Sequence, residues 1–272
     1  MNLPIFYVDD LIKRAITEDI NYIDVTSDMS QAYWVSKDSG VIAGLDIGLR
    51  VFTLLDPSIR LETKVKDGDR VEKGDILATI EGPTKSLLKG ERTALNLVQH
   101  MSGIATATRH CVDLVAGTKA TIACTLPGLR PIQKYAVVCG GGRNHRYNLS
   151  DAAMLKDNHI DAYGSLTKAV ETLRSRAGHM VKIECETRTL EELQEGLDCG
   201  VDVIMLDNMD LPTMKKAVEI TAGRAKLEAS GNITEENIAQ VAATGVDIIS
   251  LGALTHSVKC FDISMKIKRQ SN

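Results

Sequence analysis

In the second half of the chain, apolar strands end in polar residues at a fixed interval. Glu184 and Asp207 are 23 residues apart, Asp207 and Ser230 are 23 apart, and Ser230 and Gly252 are 22 apart. Apolar, β-rich runs lie at 120–124, 152–156, 181–185, 201–206, 225–229 and 246–251. Helical patterns fill most of the intervals. Thr189 with Glu192 three residues on reads as a capping box, Asp210 as an N-cap for a helix ending at Gly223, and Thr234 as a cap with Glu235 and Glu236 in the first turn. A repeat of this length predicts βα units on a parallel sheet with right-handed crossovers. No G-x-G-x-x-G follows a strand to mark a dinucleotide site. Polar residues at almost every strand end (Lys156 and Asp157, Glu184 and Glu186, Asp207 and Asn208, Ser230 and Gly231, Gly252) favour a βα-barrel, whose chemistry gathers there.

The densest chemistry is KYAVVCGGGRNHRYNLSDAAMLKDNHI, residues 134–160. It groups Arg143, His145, Arg146, Lys156 and His159 around Gly140–Gly142, although the chain as a whole has a net charge of −4. The positive charge is therefore local. Arg forks and Lys point charges so concentrated suit a small anion bearing phosphates or carboxylates. The overall acidity argues against nucleic acid as a main partner. No apolar run reaches membrane-spanning length. The first residues, MNLPIFYVDDLIKRAITEDI, carry acids where a signal peptide needs basic residues, so a cytoplasmic location is expected. The six cysteines show no CxxC spacing and read as free thiols, and neither CxxC nor HExxH suggests zinc.

The first half reads differently. Residues 6–19 look helical, 62–89 look like short strands, and 90–116 look like two helices. The V-x-x-G-D-x-V-x-K-G-D pattern within 62–89 is similar to a lipoyl-type β-sandwich, read here as a small β-fold without an attached carrier.

Strand alternation in MVKIECE puts Lys182, Glu184 and Glu186 on one face. Lys182 with Glu184 suits a structural ion pair, and Glu186, at the strand end, suits function. Asp207 ends its own strand, where a turn or cap role competes with a functional one. Two acids at neighbouring strand ends could hold Mg²⁺ or ribose hydroxyls. The small residues at Ser230-Gly231-Asn232 and Leu251-Gly252-Ala253 would let backbone N–H groups approach a phosphate.

The ordered set E-R-T-A-L-N, S-G-I-A-T, P-G-L-R, K-Y-A-V-x-C-G-G-G-x-N-H-R, L-K-D-N-H, L-D-N, E-A-S-G-N-I and G-A-L-T-H-S resembles the quinolinate phosphoribosyltransferase family over nearly the whole chain. The resemblance implies an α/β fold with two parts: an N-terminal α/β sandwich over 1–115, with 258–272 packed against it, and an incomplete parallel (β/α) barrel over 116–257. It implies transfer of phosphoribose from phosphoribosyl pyrophosphate (PRPP) to quinolinate, with Mg²⁺ as cofactor and release of pyrophosphate and CO₂. It implies a homodimer in which Arg92 reaches a neighbouring site. By resemblance, Arg92, His145, Arg146 and Lys156 meet the two carboxylates, and Lys156, Glu186 and Asp207 are catalytic, the two acids also holding Mg²⁺. Thr125, Ser230, Gly231, Asn232, Leu251, Gly252 and Ala253 complete the substrate set, with His256 nearby.

The chain departs from the family at one place. The pattern before P-G-L-R is D-T-R-K-T; here Cys124 stands in place of Asp, and Thr125 runs directly into Leu126 without Arg-Lys-Thr. A true deletion would remove two cations from the site. The reading preferred from the sequence is a loop omitted between Thr125 and Leu126, which a Cα separation near 3.8 Å would exclude. Two other readings stand beside the main one: a ModD-type phosphoribosyltransferase with a different acceptor, and a non-catalytic anion-binding homologue.

Overall fold

The computed structural model describes residues 5–19, 28–125 and 128–268. The Thr125–Leu126 junction lies outside them. After a 3₁₀ turn at Ile5–Tyr7 come α1 (Asp9–Asp19), β1 (Met29–Ser36), β2 (Gly40–Val41), α2 (Leu45–Leu55), β3 (Arg60–Thr63), β4 (Arg70–Val71) and β5 (Ile76–Pro83). The middle of the chain forms α3 (Thr84–Leu114), β6 (Thr121–Cys124), α4 (Arg130–Cys139), β7 (Arg143–Asn144), β8 (Ala153–Leu155), α5 (Asp157–Tyr163) and α6 (Leu166–Arg176). The rest is β9 (Ile183–Thr187), α7 (Leu190–Asp198), β10 (Val203–Asp207), α8 (Leu211–Thr221), β11 (Lys226–Ser230), α9 (Ile238–Ala243), β12 (Ile248–Ser250), α10 (Ala253–His256) and β13 (Ile263–Ile267). The chain divides into two compact units. One comprises Met1–Arg109, Pro127–Gly141 and Ala253–Asn272; the other comprises His110–Leu126 and Gly142–Gly252.

The first unit contains a sheet of order β13-β1-β5-β3, in which β13 and β5 both pair antiparallel with β1. Trp34 and Phe52 are fully buried on it, ring centroids 6.0 Å apart. Helix α2 lies close to α3 at Gly48, where a Cβ would fall 2.2 Å from a Val98 methyl carbon. Its first turn is held by Asp67, whose carboxylate accepts the Gly44 and Leu45 N–H groups at 2.9 and 3.0 Å and the Tyr135 hydroxyl at 2.9 Å. An acid there satisfies orphan donors and suits the helix dipole.

Two expectations are corrected in this unit. The strand-like run 62–89 ends early, because α3 starts at Thr84; its β3 and β5 join β1 and β13 in one sheet, while β4 pairs with β2 in a separate two-stranded ladder. The expected pair of helices over 90–116 is one 31-residue helix. Gly103 does not break it; the glycine admits the backbone of Lys259, whose oxygen would lie 2.2 Å from an added Cβ.

The second unit is built on a seven-stranded sheet of order β7-β6-β12-β11-β10-β9-β8, parallel at every pairing. Its two edges, β7 and β8, do not pair, so it is an open, incomplete barrel. The six expected strands are present, but β9 begins at Ile183, two residues later than read, because the Asp202 carboxylate accepts the Ile183 N–H at 2.9 Å. Lys182 is therefore exposed ahead of the strand, and the expected Lys182–Glu184 ion pair is absent. Edge strand β7, two residues long, was not expected.

Helix caps follow the sequence with two adjustments. Thr189 accepts the Glu192 N–H at 3.2 Å, but Glu192 reaches back to the Arg188 N–H, one residue beyond the cap. Asp210 caps α8 through the Thr213 N–H at 2.9 Å. Thr234 is not a side-chain cap. Asn237 accepts the Thr234 N–H and donates to the Asn232 carbonyl, so the segment stays a turn until Ile238. No helix among the described residues is long and apolar enough to cross a membrane.

Candidate active site

Strand register gives the second unit one apolar face and one polar face. Partners across the parallel ladders are Glu184 with Met154 and Val203, Met205 with Glu186 and Glu228, and Ser230 with Asp207 and Ser250. Partners in register point to the same side. One face therefore carries Glu184, Glu186, Asp207, Glu228, Ser230 and Ser250. The alternate residues, including Ile183, Cys185, Ile204, Leu206, Leu227, Ala229 and Ile249, are buried and apolar. Cys124 lies out of step with the polar row, since Ala123 is the partner of Ser250. The Asp-to-Cys departure thus falls on the apolar side, where Cys124 is buried.

The deepest polar cluster is His145, Glu184 and Glu228. The His145 Nε2 lies 2.9 Å from Glu184 Oε2 and 3.6 Å from Glu228 Oε1, and the Ser250 hydroxyl donates to Glu228 Oε1 at 2.5 Å. Glu184 is 6 % exposed and Glu228 1 %, yet Glu184 Oε1 has no hydrogen-bond partner. Burial pushes the Glu228 carboxyl up to about 7; Glu184 adds to the rise, while His145 and the Ser250 hydroxyl pull the other way. Sequence reasoning passed over Glu228 and Ser250 and gave Glu184 the wrong partner. The signal available was parity, since Glu228 stands two residues before Ser230 on one strand.

Above this cluster, Lys156 Nζ lies 2.7 Å from Glu186 Oε1, joining the ends of β8 and β9. His159 is a capping residue, its Nδ1 accepting the Lys156 N–H at 3.0 Å. The Arg146 guanidinium donates to the Ala152 carbonyl at 3.1 Å and so braces the loop into β8. Asp207 accepts from the Asn208 amide at 3.1 Å, and Asn208 Oδ1 accepts from Asn232 at 2.8 Å. Asn208 and Asn232 both hold positive φ, 55° and 52°, at strand ends. Gly231, at φ 88°, allows the Asn208 side chain to pass. Such strained positions cluster at functional sites.

Of the residues assigned by sequence, Thr125, His145, Arg146, Lys156, Glu186, Asp207, Ser230, Gly231, Asn232, Leu251 and Gly252 belong to this unit. Arg92, exposed on α3, and Ala253 and His256, on α10, belong to the first unit. Glu186 Oε2 and Asp207 Oδ2 make no hydrogen bond among the described residues, leaving two hard oxygen donors of the kind Mg²⁺ takes.

An open parallel barrel with carboxylates and cations along one face of its strand ends defines the class: a (β/α) half-barrel enzyme. Family models for quinolinate phosphoribosyl transferase match residues 16–102 (N-terminal domain) and 104–266 (C-terminal domain). The chain belongs to the quinolinate phosphoribosyltransferase family. It is 45 % identical over 266 residues to a probable carboxylating nicotinate-nucleotide pyrophosphorylase of Bacillus subtilis, covering 94 % of this chain and 92 % of that protein. It is 41 % identical over 297 residues to the chloroplastic carboxylating enzyme of Arabidopsis thaliana, covering 97 % of this chain and 84 % of that one. The crystal structure of NadC from Streptococcus pyogenes superposes with a TM-score of 0.95 at 40 % identity, covering all of both chains.

Proposed function

We propose that the protein transfers phosphoribose from PRPP to quinolinate and decarboxylates the adduct, giving nicotinate mononucleotide, pyrophosphate and CO₂ for NAD biosynthesis. The observation that carries this reading is the paired Lys156–Glu186 contact, 2.7 Å, beside Asp207 on one polar strand-end face in a chain of this family. The acceptor brings two carboxylates. Arg146 and Lys156 meet them, and an arriving carboxylate takes Lys156 from Glu186. Loss of pyrophosphate leaves positive charge on the ribose, which Glu186 and Asp207 stabilise from fixed positions. Their unbonded oxygens would also hold Mg²⁺, which supplies charge neutralisation to the pyrophosphate. Ser230, Gly231, Asn232, Leu251, Gly252 and Ala253 supply small, close-approach backbone for a phosphate. The ring nitrogen attacks the anomeric carbon; the quaternary ring then accepts the electrons of the breaking C–CO₂ bond, and that carbon takes a proton.

The same reading makes the protein a homodimer, with Arg92 completing the partner's site, and places it in the cytoplasm, which suits its six free thiols. One sequence feature favours a second reading. Thr125 is followed directly by Leu126, without the two cations of the family loop, as in a chain that binds PRPP but does not turn over. Incubation with PRPP, Mg²⁺ and either quinolinate or nicotinate separates the two. Pyrophosphate and CO₂ released together, and only with quinolinate, support the first; PRPP binding without release supports the second.

A further inference from the structure

The buried His145 cluster looks at first like a metal site, because ligand atoms of three residues, one imidazole and two carboxylates, lie within 4.8 Å of one another. The ring nitrogens argue otherwise. His145 Nδ1 accepts the backbone N–H of Arg146 at 2.8 Å, so Nδ1 carries no proton. A neutral ring then keeps its proton on Nε2, the atom that faces Glu184 Oε2 at 2.9 Å and donates to it. A histidine that ligates a metal through Nε2 does the reverse: it moves its proton to Nδ1 and donates it to an acceptor. Here Nδ1 receives a donor, and the cluster is a hydrogen-bond lock.

The lock ties down a weakly held element. His145 directly follows β7, an edge strand that pairs with β6 through only two residues, Arg143 and Asn144. Its ring crosses to Glu184 on β9 and Glu228 on β11, and Ser250 on β12 fixes Glu228. Three interior strands thereby set the main chain at Arg146, whose guanidinium is aimed by the Ala152 carbonyl at 3.1 Å and by a weak contact to Met154 Sδ at 3.9 Å.

We propose that His145 is a positioning residue for Arg146, locked by Glu184 and Glu228, and not a direct ligand of the acceptor's carboxylate. The functional half rests on the reading that Arg146 contacts quinolinate; the lock itself does not.

Nitrogen NMR of the intact protein labelled with ¹⁵N-histidine, without substrates, tests the lock. The expected result is an unprotonated Nδ1 and a protonated Nε2 on His145. A protonated Nδ1, or a His145 Nε2 resonance moved to a metal-bound position on adding diamagnetic Zn²⁺, overturns it. Calorimetry with quinolinate and with PRPP tests the consequence. Glu184→Ala should weaken quinolinate binding about tenfold and shift the Arg146 amide resonance, leaving PRPP within about twofold. Glu184→Gln keeps an acceptor for Nε2–H and should restore most of the loss. Equal effects of Ala and Gln, or equal effects on both ligands, overturn the positioning role. If the unaltered protein binds no quinolinate, the functional reading falls, and the nitrogen signature alone still decides the lock.

Discussion

Lys156 and Glu186 share a contact of 2.7 Å between the ends of neighbouring parallel strands, β8 and β9. The Lys156 side chain is half-exposed and that of Glu186 is 18 % exposed, so the pair stands at the wet rim of the polar face and not in the core. A rim pair of this kind adds little to stability. On the proposed reading, its value lies in holding a cation where an incoming carboxylate can take it over.

Lys156→Ala should therefore leave the melting temperature nearly unchanged and raise the apparent KM for quinolinate by about tenfold or more, the loss expected for one charge-assisted hydrogen bond. The KM for PRPP should change much less. Steady-state kinetics with each substrate varied in turn check this, and an equal effect on both would remove Lys156 from the carboxylate wall.

Gly231 is constrained twice: its φ is +88°, and a Cβ there would lie 2.2 Å from Asn208 Oδ1. Gly231→Ala should lower stability by about 1–3 kcal/mol through backbone strain alone. Asn208→Ala in the same chain removes the steric part and should recover some of the loss. Urea unfolding of the single and double variants measures the difference, and full additivity would show that the two residues do not meet.

The period of 22–23 residues made the parallel sheet legible, because strands buried on one face and ended by polar residues leave a regular pattern in sequence. Strand β7 was not legible: two residues, one of them an arginine, carry no periodicity. The single helix through Gly103 was missed because a glycine used for close packing looks the same in sequence as one that ends a helix. The strand-end residues Lys156, Glu186 and Asp207 could be placed on one face from parity alone. The partners of His145 could not. Glu184 and Glu228 lie 39 and 83 residues further along, and only the register of three strands brings them to one imidazole.

Glu228 gives the fold a pH dependence of definite sign. Its folded-state pKa rises from 4.5 to about 7, so between those values the folded chain binds more protons at this group than the unfolded chain. Its contribution is fully present below about pH 4.5 and is lost as pH rises toward 7. Glu228→Gln should flatten that slope. Urea midpoints measured across the window for both proteins decide it; parallel curves would mean Glu228 is ionised in the fold throughout.

If Arg92 serves the neighbouring site, two impaired variants should rescue each other when quinolinate is held well below the KM of either. Arg92→Ala and Lys156→Ala damage different sites in a mixed dimer, leaving one site intact. Random remixing of equal amounts makes half the dimers mixed, so activity should recover to about a quarter of the parent's. No recovery after verified subunit exchange would place Arg92 in the same site as its own Lys156.

The junction after Thr125 bears on every kinetic prediction. The family loop brings an arginine and a lysine there, and the chain has neither. Replacing Asp by Cys124 is a milder change, because register places Cys124 on the apolar side of the sheet. Any shortfall in turnover should therefore trace to the loop and not to Cys124. Inserting Arg-Lys-Thr between Thr125 and Leu126 should raise kcat/KM by about 100-fold or more, the scale of two charge-assisted contacts to anionic groups. Cys124→Asp alone should change it by less than about threefold, within the range of an exchange that touches no substrate. Should Cys124→Asp restore activity without the insertion, the polar face would extend past Ala123, and the assignment of that strand's two sides would be reversed.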